Sequence, residues 1–377
     1  MTFRILQGDN RETLKTIPDN SIDAIVTDPP YGIDFLGKDW DANTGALETY
    51  QECLRVLKPG GHILAFSAAR TYHHLAITLE QAGFEIRDQL MWIYSSGFPK
   101  SQDVGRSIQR GLGVKEIKKY KTNSPRVGGD GEFVADGTKE QIACTDPEAK
   151  AWEGWGTALK PAHEPIALAR KPLKLSIAKN AQKWGTGALN IDATRIERDQ
   201  EEARFPSNVI GEIPDYQKYF YCPKVSRRER HMGFDESMSE KKMLEIMGGH
   251  YTDPNEGGKS IWLPDKGVIY AHGLKHEYSE WCKNNNKDPG RVGNNHPTVK
   301  PVELMEYLIK LVTPPGGTVL DPFNGSGSTG MAAVGLGFNY IGCELDPNYV
   351  AITEKRIEAW LKKDEPQSSP VFEKLFE

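Results

Sequence analysis

The segment Asp28-Pro29-Pro30-Tyr31 combines two hydrogen-bond acceptors with a flat aromatic side chain at the end of an apolar run. The run Ile22–Val26 is typical of a buried strand, and the two prolines after it fix φ and remove two N–H donors. The carboxylate of Asp28 and the carbonyl of Pro29 are then acceptors on a stiff backbone, with the Tyr31 ring beside them. This set matches a planar group that carries an exocyclic NH2, such as the hydrogen-bonding edge of adenine or cytosine.

The nitrogen of such an amine is a poor nucleophile because its lone pair is delocalised into the ring. Hydrogen bonds from the amine to Asp28 and to the carbonyl of Pro29 favour a pyramidal nitrogen, whose lone pair then points toward an incoming methyl group. Catalysis would rest on orientation and on stabilisation of the developing positive charge. Tyr31 is expected to stack on the base, which must leave a duplex to reach the site. The alternative is a strand that ends in an ordinary proline turn.

A glycine-rich loop forms the second candidate site, in the stretch Thr318–Gly330, which reads TVLDPFNGSGSTG. Gly325, Gly327 and Gly330 fit the G-x-G-x-x-G fingerprint between a predicted strand and a predicted helix. Glu344 ends the next predicted strand, about 20 residues further on, where a carboxylate binds ribose hydroxyls. The sequence therefore predicts a nucleotide site, and a tight turn without a ligand is the alternative.

Two cofactors use this geometry, NAD and S-adenosyl-L-methionine. Asp321 stands just before the glycines, where a carboxylate would repel a pyrophosphate but would pair with the cationic amino-acid end of S-adenosylmethionine. The fingerprint also follows a complete α/β half, whereas in dehydrogenases it usually opens the fold. These features favour S-adenosylmethionine, with an NAD-dependent oxidoreductase as the alternative.

The elements that must position these motifs alternate between strands and helices. In the first hundred residues, strands are predicted at FRIL, IDAIV, HILAFS and FEIRDQLMWIY, and helices at ETLKTI, LETYQECLRVL and TYHHLAITLEQAG. We expect Lys58–Gly61 to separate the second helix from its strand. Toward the C-terminus, the helix PVELMEYLIKLV carries Pro301 in its first turn, and the strand NYIGCELDP precedes the helix NYVAITEKRIEAWLKK. This alternation predicts an α/β fold whose parallel sheet is covered on both faces and binds ligands at its carboxyl edge.

Composition restricts the class of protein. The chain has 377 residues, of which 38% are hydrophobic, as in a soluble globular protein. No apolar run approaches the roughly 18 residues needed to span a membrane, and the N-terminus lacks the features of a signal peptide. The five cysteines form no CxxC pair, so neither a disulfide framework nor a metal site is indicated. We expect a cytoplasmic protein with no membrane partner.

The net charge of −5 hides two basic stretches, Lys100–Arg126 and Lys218–Arg230. Such patches either steer a polyanion or form a solvated face. Between the α/β halves, Thr122–Lys150 is rich in Gly, Asp and Thr and predicts a long, mobile loop. Glu164–Leu173 is strand-like, whereas residues 174–292 show only short regular patterns, which is typical of functional loops or disorder.

The joint occurrence of these motifs resembles the DNA amino-methyltransferases, which modify adenine N6 or cytosine N4. DPPYG at Asp28–Gly32 is similar to their catalytic motif, and DPFNGSGSTG at Asp321–Gly330 is similar to their S-adenosylmethionine loop. NHPTVKP at Asn295–Pro301 resembles the segment that precedes that loop. The catalytic motif comes first, as in the β group. The resemblance implies a Rossmann-like class I methyltransferase sheet with a permuted motif order and an inserted target-recognition region.

The resemblance also implies a domain organisation in six parts. These are a catalytic half of the α/β domain (1–98), an insertion or mobile loop with a DNA contact (99–160), a strand that returns to the catalytic domain (161–173), a target-recognition region (174–290), an S-adenosylmethionine-binding half (291–362) and a tail (363–377).

Roles follow for the residues that match the family motifs. The catalytic residues implied are Asp28, Pro29, Pro30 and Tyr31. The cofactor-binding residues implied are Asp9, Thr298, Lys300, Asp321, Phe323, Asn324, Gly325, Gly327 and Glu344. In this set Glu344 takes the ribose hydroxyls and Asp9 lies near the adenine, whereas Thr298 and Lys300 approach the methionine end.

The function implied is transfer of a methyl group to the exocyclic amine of a flipped base in double-stranded DNA. Adenine N6 is favoured over cytosine N4 because Asp heads the motif more often in the adenine enzymes. Other hypotheses are a DNA-binding module with an inactive site and methylation of RNA or of a protein amide, although the protein-amide version carries Asn in place of Asp28. β-group relatives often dimerise, so a homodimer is one expectation. The recognition sequence and a restriction endonuclease partner cannot be read from the sequence.

Overall fold

The structure is a computed structural model, and it describes most of the chain. The described residues are 2–33, 44–94, 101–113, 117–121, 126–127, 133–134, 138–198, 201–211, 225, 227–233, 244, 247–251, 260–264, 266–270, 294, 296 and 298–363. The strands are β1 (Phe3–Gln7), β2 (Ile22–Thr27), β3 (Leu57–Phe66), β4 (Glu85–Ile93), β5 (Ile117–Lys121), β6 (Arg126–Val127), β7 (Phe133–Val134), β8 (Thr138–Ile142), β9 (His163–Arg170), β10 (Ile196–Arg198), β11 (Glu201–Arg204), β12 (Val209–Gly211), β13 (His250–Tyr251), β14 (Ser260–Leu263), β15 (Gly267–Tyr270), β16 (Thr318–Asp321) and β17 (Asn339–Glu344). The α-helices are α1 (Asn10–Thr13), α2 (Leu47–Val56), α3 (Tyr72–Ala82), α4 (Val104–Gly111), α5 (Pro147–Ala151), α6 (Ile177–Trp184), α7 (Arg227–Arg230), α8 (Val302–Val312), α9 (Ser328–Gly335) and α10 (Pro347–Lys363).

An eight-stranded sheet forms the centre of the fold, in the order β1-β17-β16-β2-β3-β9-β4-β12. Strand β9 runs antiparallel to both of its neighbours, β3 and β4, and the other pairs in this sheet are parallel. The sheet is therefore the α/β sheet predicted from the sequence, except that β9 is antiparallel where a parallel sheet was predicted. Because β2 and β16 pair side by side in parallel, their carboxyl ends meet at the same edge of the sheet.

Both faces of the sheet are buried. Ala24 and Val26 of β2 belong to one apolar cluster, which also holds the buried face of α8. Ile25 of the same strand belongs to the second cluster, with buried residues of α2 and α3. Successive side chains of a strand point to opposite faces, so a strand covered on both sides is apolar on both. This explains why four of the five residues of IDAIV are apolar; the exception, Asp23, is buried and pairs with Lys58.

The chain divides into two compact units. The first contains residues 1–96, 162–235 and 293–377, and the second contains residues 97–161 and 236–292. The first unit holds the eight-stranded sheet and both candidate motifs. Residues 174–235 belong to this unit, whereas the predicted target-recognition region joined them to residues 236–290.

Three local details differ from the sequence predictions. Lys58–Gly61 do not form a separate turn, because β3 begins at Leu57, directly after α2 ends at Val56. Pro301 is the N-cap of α8 and lies just outside its first turn, with φ −60° and ψ 134°. Within Thr122–Lys150, the short strands β6, β7 and β8 and the start of α5 replace part of the expected loop. The predicted C-terminal tail, from residue 364 on, lies outside the described residues.

Candidate active site

The two motifs meet at neighbouring strand ends. Thr27, the last residue of β2, donates a hydrogen bond from its hydroxyl to Oδ1 of Asp321, the last residue of β16, at 2.7 Å. Asp28 follows directly, so the catalytic motif and the glycine loop leave the sheet side by side. The structure thus brings together the two stretches that the sequence separates by nearly 300 residues.

Asp28 lies at the centre of a compact hydrogen-bond network. The Tyr31 hydroxyl lies 2.8 Å from Oδ1 of Asp28, and the ammonium of Lys300 lies 2.5 Å from Oδ2. Lys300 also donates to the Tyr31 hydroxyl at 2.9 Å. The Asp28 side chain remains 20% exposed, so its remaining lone pairs are accessible to an amine at the sheet edge.

Lys300 contacts the catalytic motif, whereas it was predicted to approach the methionine end of the cofactor. Its side chain is 8% exposed, and its ammonium lies 4.8 Å from the centroid of the Phe66 ring. Burial alone would lower the pKa of Lys300, but the carboxylates of Asp28 and Glu164 raise it above the ordinary value of lysine. Lys300 is therefore a cation at neutral pH and balances one of these two carboxylates.

The Tyr31 hydroxyl is a hydrogen-bond donor across the working pH range. Burial, followed by the charges of Asp28 and Glu164, raises the pKa of Tyr31 well above its ordinary value. The ring packs against the core cluster that contains Val26. Tyr31 thus fixes one carboxylate oxygen of Asp28 as well as presenting the flat side chain predicted from the sequence.

A short segment before α8 links the two motifs. The ring of His296 lies 3.0 Å from the position that a Cβ on Gly325 would occupy, and the ammonium of Lys300, four residues later, reaches Asp28. Nδ1 of His296 donates to the carbonyl of Thr298, and Arg230 donates to the carbonyl of His296 at 2.9 Å. The segment therefore holds the glycine loop and the catalytic motif in one arrangement.

The glycine loop is held from behind by α10. Thr353 donates to the carbonyl of Gly325 at 3.1 Å, and the buried guanidinium of Arg356 donates to the carbonyl of Ser326 at 2.5 Å. Gly327 is the N-cap of α9 and has a left-handed φ of 80°. Because the loop carbonyls of Gly325 and Ser326 bond to α10, the backbone conformation of the loop is fixed before any ligand binds.

Two residues predicted to bind cofactor hold the loop from within. Asp321 is 2% exposed, and its carboxylate accepts hydrogen bonds from the hydroxyls of Thr27 and Thr329 and from the N–H of Phe323. Burial raises the pKa of Asp321 to about 6. Asn324 is 4% exposed and bonds to Thr353 and Tyr340. Both side chains point into the protein and shape the loop.

Glu344 presents a carboxylate at the open edge of the same loop. Its two oxygens accept from the backbone N–H groups of Gly325, at 2.8 Å, and Asp346, at 2.9 Å. Burial raises the pKa of Glu344 to about 7, and no ion pair between described residues includes it. Asp9 is the N-cap of α1 and follows Gly8, whose N–H donates to the carbonyl of Glu344. Arg11 lowers the pKa of Asp9 through its hydrogen bonds to the carboxylate.

These residues fit S-adenosylmethionine in chemistry as well as in position. A carboxylate whose partners in the protein are backbone N–H groups can accept the ribose hydroxyls, and the half-buried ring of Phe323, in the glycine loop, offers an apolar surface. Thr298 is exposed, and its backbone carbonyl accepts a hydrogen bond from Nδ1 of His296. Among the described residues, no group of three or more His, Cys, Asp or Glu side chains is placed to hold a metal ion.

Sequence reasoning missed Glu164, Arg356 and Thr353, which contact the motifs from distant parts of the chain. In the second basic stretch, Arg230 donates to the carbonyl of His296, and Glu229 accepts from the N–H of Val302 at 2.8 Å. The remainder of that stretch and the side chains beyond residue 113 in the first one lie outside the described residues. No described helix is long and apolar enough to cross a membrane.

Comparison with known proteins identifies the family in which these motifs occur. A family model described as DNA methylase, covering the N6 and N4 enzymes, matches residues 22–355. The chain is 24% identical over 399 residues to the type II methyltransferase M.HindIII of Haemophilus influenzae, covering 94% of each protein. It is 40% identical over 202 residues to M2.DpnII of Streptococcus pneumoniae, covering 52% of this chain and 65% of that one. It is 24% identical to the DNA adenine methyltransferase YhdJ of Escherichia coli, over 94% of this chain and 82% of YhdJ.

Solved structures show the same kind of similarity at lower identity. The PvuII DNA methyltransferase, described as cytosine-N4-specific, is 15% identical with a TM-score of 0.46, covering 94% of this chain and 86% of that one. The complex of M1.HpyAVI with S-adenosylmethionine is 18% identical with a TM-score of 0.42, covering 94% and 100%. The fold is established by the strand order of the eight-stranded sheet, independently of these two structures. The chain belongs to the N6/N4 DNA methylase family and is a DNA methyltransferase that uses S-adenosyl-L-methionine.

Proposed function

We propose that this protein methylates the N6 amine of adenine in double-stranded DNA. The observation that carries the proposal is the carboxylate of Asp28 at the end of β2, held by Tyr31 and Lys300. The resemblance of this motif to the family implies that an acid in this position is more frequent in the adenine enzymes than in the cytosine enzymes. The similarity to YhdJ, named as a DNA adenine methyltransferase, supports the same choice. Cytosine N4 is the alternative.

In the proposed reaction, Asp28 and the carbonyl of Pro29 accept the two N–H bonds of the target amine. This orients the nitrogen lone pair and lowers the energy of the positive charge that forms on it. S-adenosylmethionine, when bound, supplies an electrophilic methyl group on a sulfonium. The buried Pro29, the half-buried Pro30 and the bonds from Tyr31 and Lys300 fix the acceptors in advance, so little reorganisation is required during the reaction.

On the cofactor side, we assign Glu344 to the ribose hydroxyls and Phe323 to the adenine face, with Asp9 nearby. Gly325 and Gly327 take the left-handed backbone conformation that the loop requires and leave space for His296 and Thr353. Asp321 and Asn324 act through the loop that they hold.

Analysis of modified nucleosides tests the base. DNA with many sequences is incubated with the protein and S-adenosylmethionine, digested and analysed by mass spectrometry. We expect N6-methyladenine, and sequencing of the modified DNA then gives the recognition site. N4-methylcytosine as the sole product would refute the adenine assignment and leave the family assignment intact.

The affinity for the cofactor should fall as the pH is lowered through about 7. Ribose hydroxyls donate to a carboxylate, so binding favours the ionised form of Glu344, whose pKa without ligand is about 7. With a single group of this pKa, the dissociation constant rises about tenfold between pH 8 and pH 6. Isothermal titration with 5′-methylthioadenosine measures this effect, because that compound carries the ribose hydroxyls without an amino acid that titrates. A Kd that is equal at the two pH values would contradict the role of Glu344.

A further inference from the structure

Glu164 places a second carboxylate beside the catalytic motif. It lies near the amino end of β9 and is paired with Trp92 of β4 in the sheet register. Its Oε2 lies 3.0 Å from the Tyr31 hydroxyl and 3.3 Å from the ammonium of Lys300. The Glu164 side chain is only 15% exposed, so this contact is part of the interior of the site and is not a surface ion pair.

Asp28, Tyr31, Glu164 and Lys300 together form a closed ring of contacts. Lys300 and the Tyr31 hydroxyl each lie between the two carboxylates, and they also contact each other. Because a hydroxyl has a single proton, Tyr31 donates to one carboxylate at a time, whereas an ammonium donates to several acceptors. Glu164 therefore competes for Tyr31 and shares Lys300, and its charge affects both partners of Asp28.

The charges of the ring leave an excess of one negative charge in a largely buried site. Within the ring, the two carboxylates of Asp28 and Glu164 face one ammonium, that of Lys300. Tyr94 also hydrogen-bonds to Glu164, and burial raises the pKa of Tyr94 above its ordinary value. His296 lies within electrostatic range of Asp28 and Lys300, and burial lowers its pKa. A net negative site stabilises a positive charge that develops on a nitrogen next to Asp28.

We propose that Glu164 is a positioning residue of the methyl-transfer site, which holds Lys300 and Tyr31 on Asp28 and supplies the excess negative charge. The inference rests on the function proposed for Asp28. It gives β9 a part in catalysis, although this antiparallel strand belongs to neither of the two motifs. Glu164 acts through Lys300 and Tyr31 and does not itself contact the target amine.

Substitution of Glu164 by glutamine tests this role, because it keeps the size of the side chain and removes its charge. We expect kcat for DNA methylation to fall about 10- to 100-fold, while the KM values for DNA and cofactor change less than about threefold. The pKa of Lys300 should fall without this carboxylate, so activity at high pH should be lost about one pH unit earlier. Glu164→Asp should recover part of kcat.

Glu85 provides a matched control on the same pair of strands. Its carboxylate pairs with Arg170, at the far end of β9, at 2.7 Å. Glu85→Gln removes a carboxylate–cation contact as well, but it should leave kcat within about twofold of wild type and the pH profile unchanged. In the double variant E164Q/K300M, the loss of kcat should be smaller than the product of the two single losses, since part of the effect of Glu164 passes through Lys300.

The outcomes separate this inference from the proposed function. If the wild type methylates DNA and Asp28→Ala abolishes the reaction, the function of Asp28 stands. An unchanged kcat and pH profile in Glu164→Gln would then overturn the role of Glu164 alone. A loss of kcat with the same melting temperature and with a shifted alkaline limb supports it, whereas an equal loss in Glu85→Gln would reduce Glu164 to a structural residue. A wild type that does not methylate DNA would overturn both proposals.

Discussion

Replacement of Asp28 by alanine is expected to lower kcat for DNA methylation by at least about a thousandfold. The substitution removes an acceptor that orients the target amine and a charge that stabilises the transition state. Lys300 would also lose the closer of its two carboxylates, since it lies 2.5 Å from Asp28 and 3.3 Å from Glu164. Asp28→Asn keeps one acceptor oxygen without the charge, so we expect a smaller loss of about a hundredfold. Initial rates with labelled S-adenosylmethionine on DNA measure both effects.

A second aspartate on the same strand controls for the loss of a buried ion pair. Asp23, near the amino end of β2, is 4% exposed, pairs with Lys58 at 2.6 Å and accepts from the N–H of Thr318. Asp23→Ala should lower the free energy of unfolding by about 2–4 kcal/mol but leave kcat per folded molecule nearly unchanged. Substantial activity in Asp28→Ala, or an equal loss of kcat in both variants, would contradict the catalytic role of Asp28.

The sequence was sufficient to predict the sheet and the meeting of the two motifs, because parallel strands with apolar runs have a known chirality and a known ligand edge. The hydrogen bond from Thr27 to Asp321 joins the carboxyl ends of β2 and β16 at that edge. Lys300 was predicted to lie near the cofactor, and its contact with Asp28 was not foreseen. A motif gives the order of residues along the chain, but the partner of a long side chain depends on packing.

Glu164 was not predicted for a reason that lies in the topology. The rule that ligands bind at the carboxyl ends of strands holds for parallel strands, whereas β9 is antiparallel and presents its amino end at that edge. An acid at the start of an apolar strand was the available signal. Asp321 and Asn324 show the converse difficulty, since a motif does not reveal whether a polar side chain faces the ligand or the interior. In both cases the answer depends on contacts from remote residues, Thr27 and Thr329 for Asp321 and Thr353 and Tyr340 for Asn324.

Replacement of Gly327 by alanine is expected to weaken binding of S-adenosylmethionine at least about a hundredfold and to lower the free energy of unfolding by about 2–4 kcal/mol. Gly327 has φ 80°, and a Cβ there would lie 2.5 Å from Cγ2 of Thr353. Thr353 cannot turn away without losing its bonds to Asn324 and to the carbonyl of Gly325. The loop must therefore move, together with the edge at which we place the cofactor.

Gly337, just beyond the other end of α9, separates backbone strain from this clash. It has φ 81°, and a Cβ there would meet no atom within 4 Å. Gly337→Ala therefore carries the left-handed conformational cost alone, about 1–2 kcal/mol, and should leave cofactor affinity unchanged. Isothermal titration and thermal melting of the two variants give both quantities. Equal affinities for S-adenosylmethionine in wild type and Gly327→Ala would show that the cofactor binds away from this loop, whereas a loss confined to Gly327→Ala places it there, since the two variants share the strain and differ in the contact with Thr353.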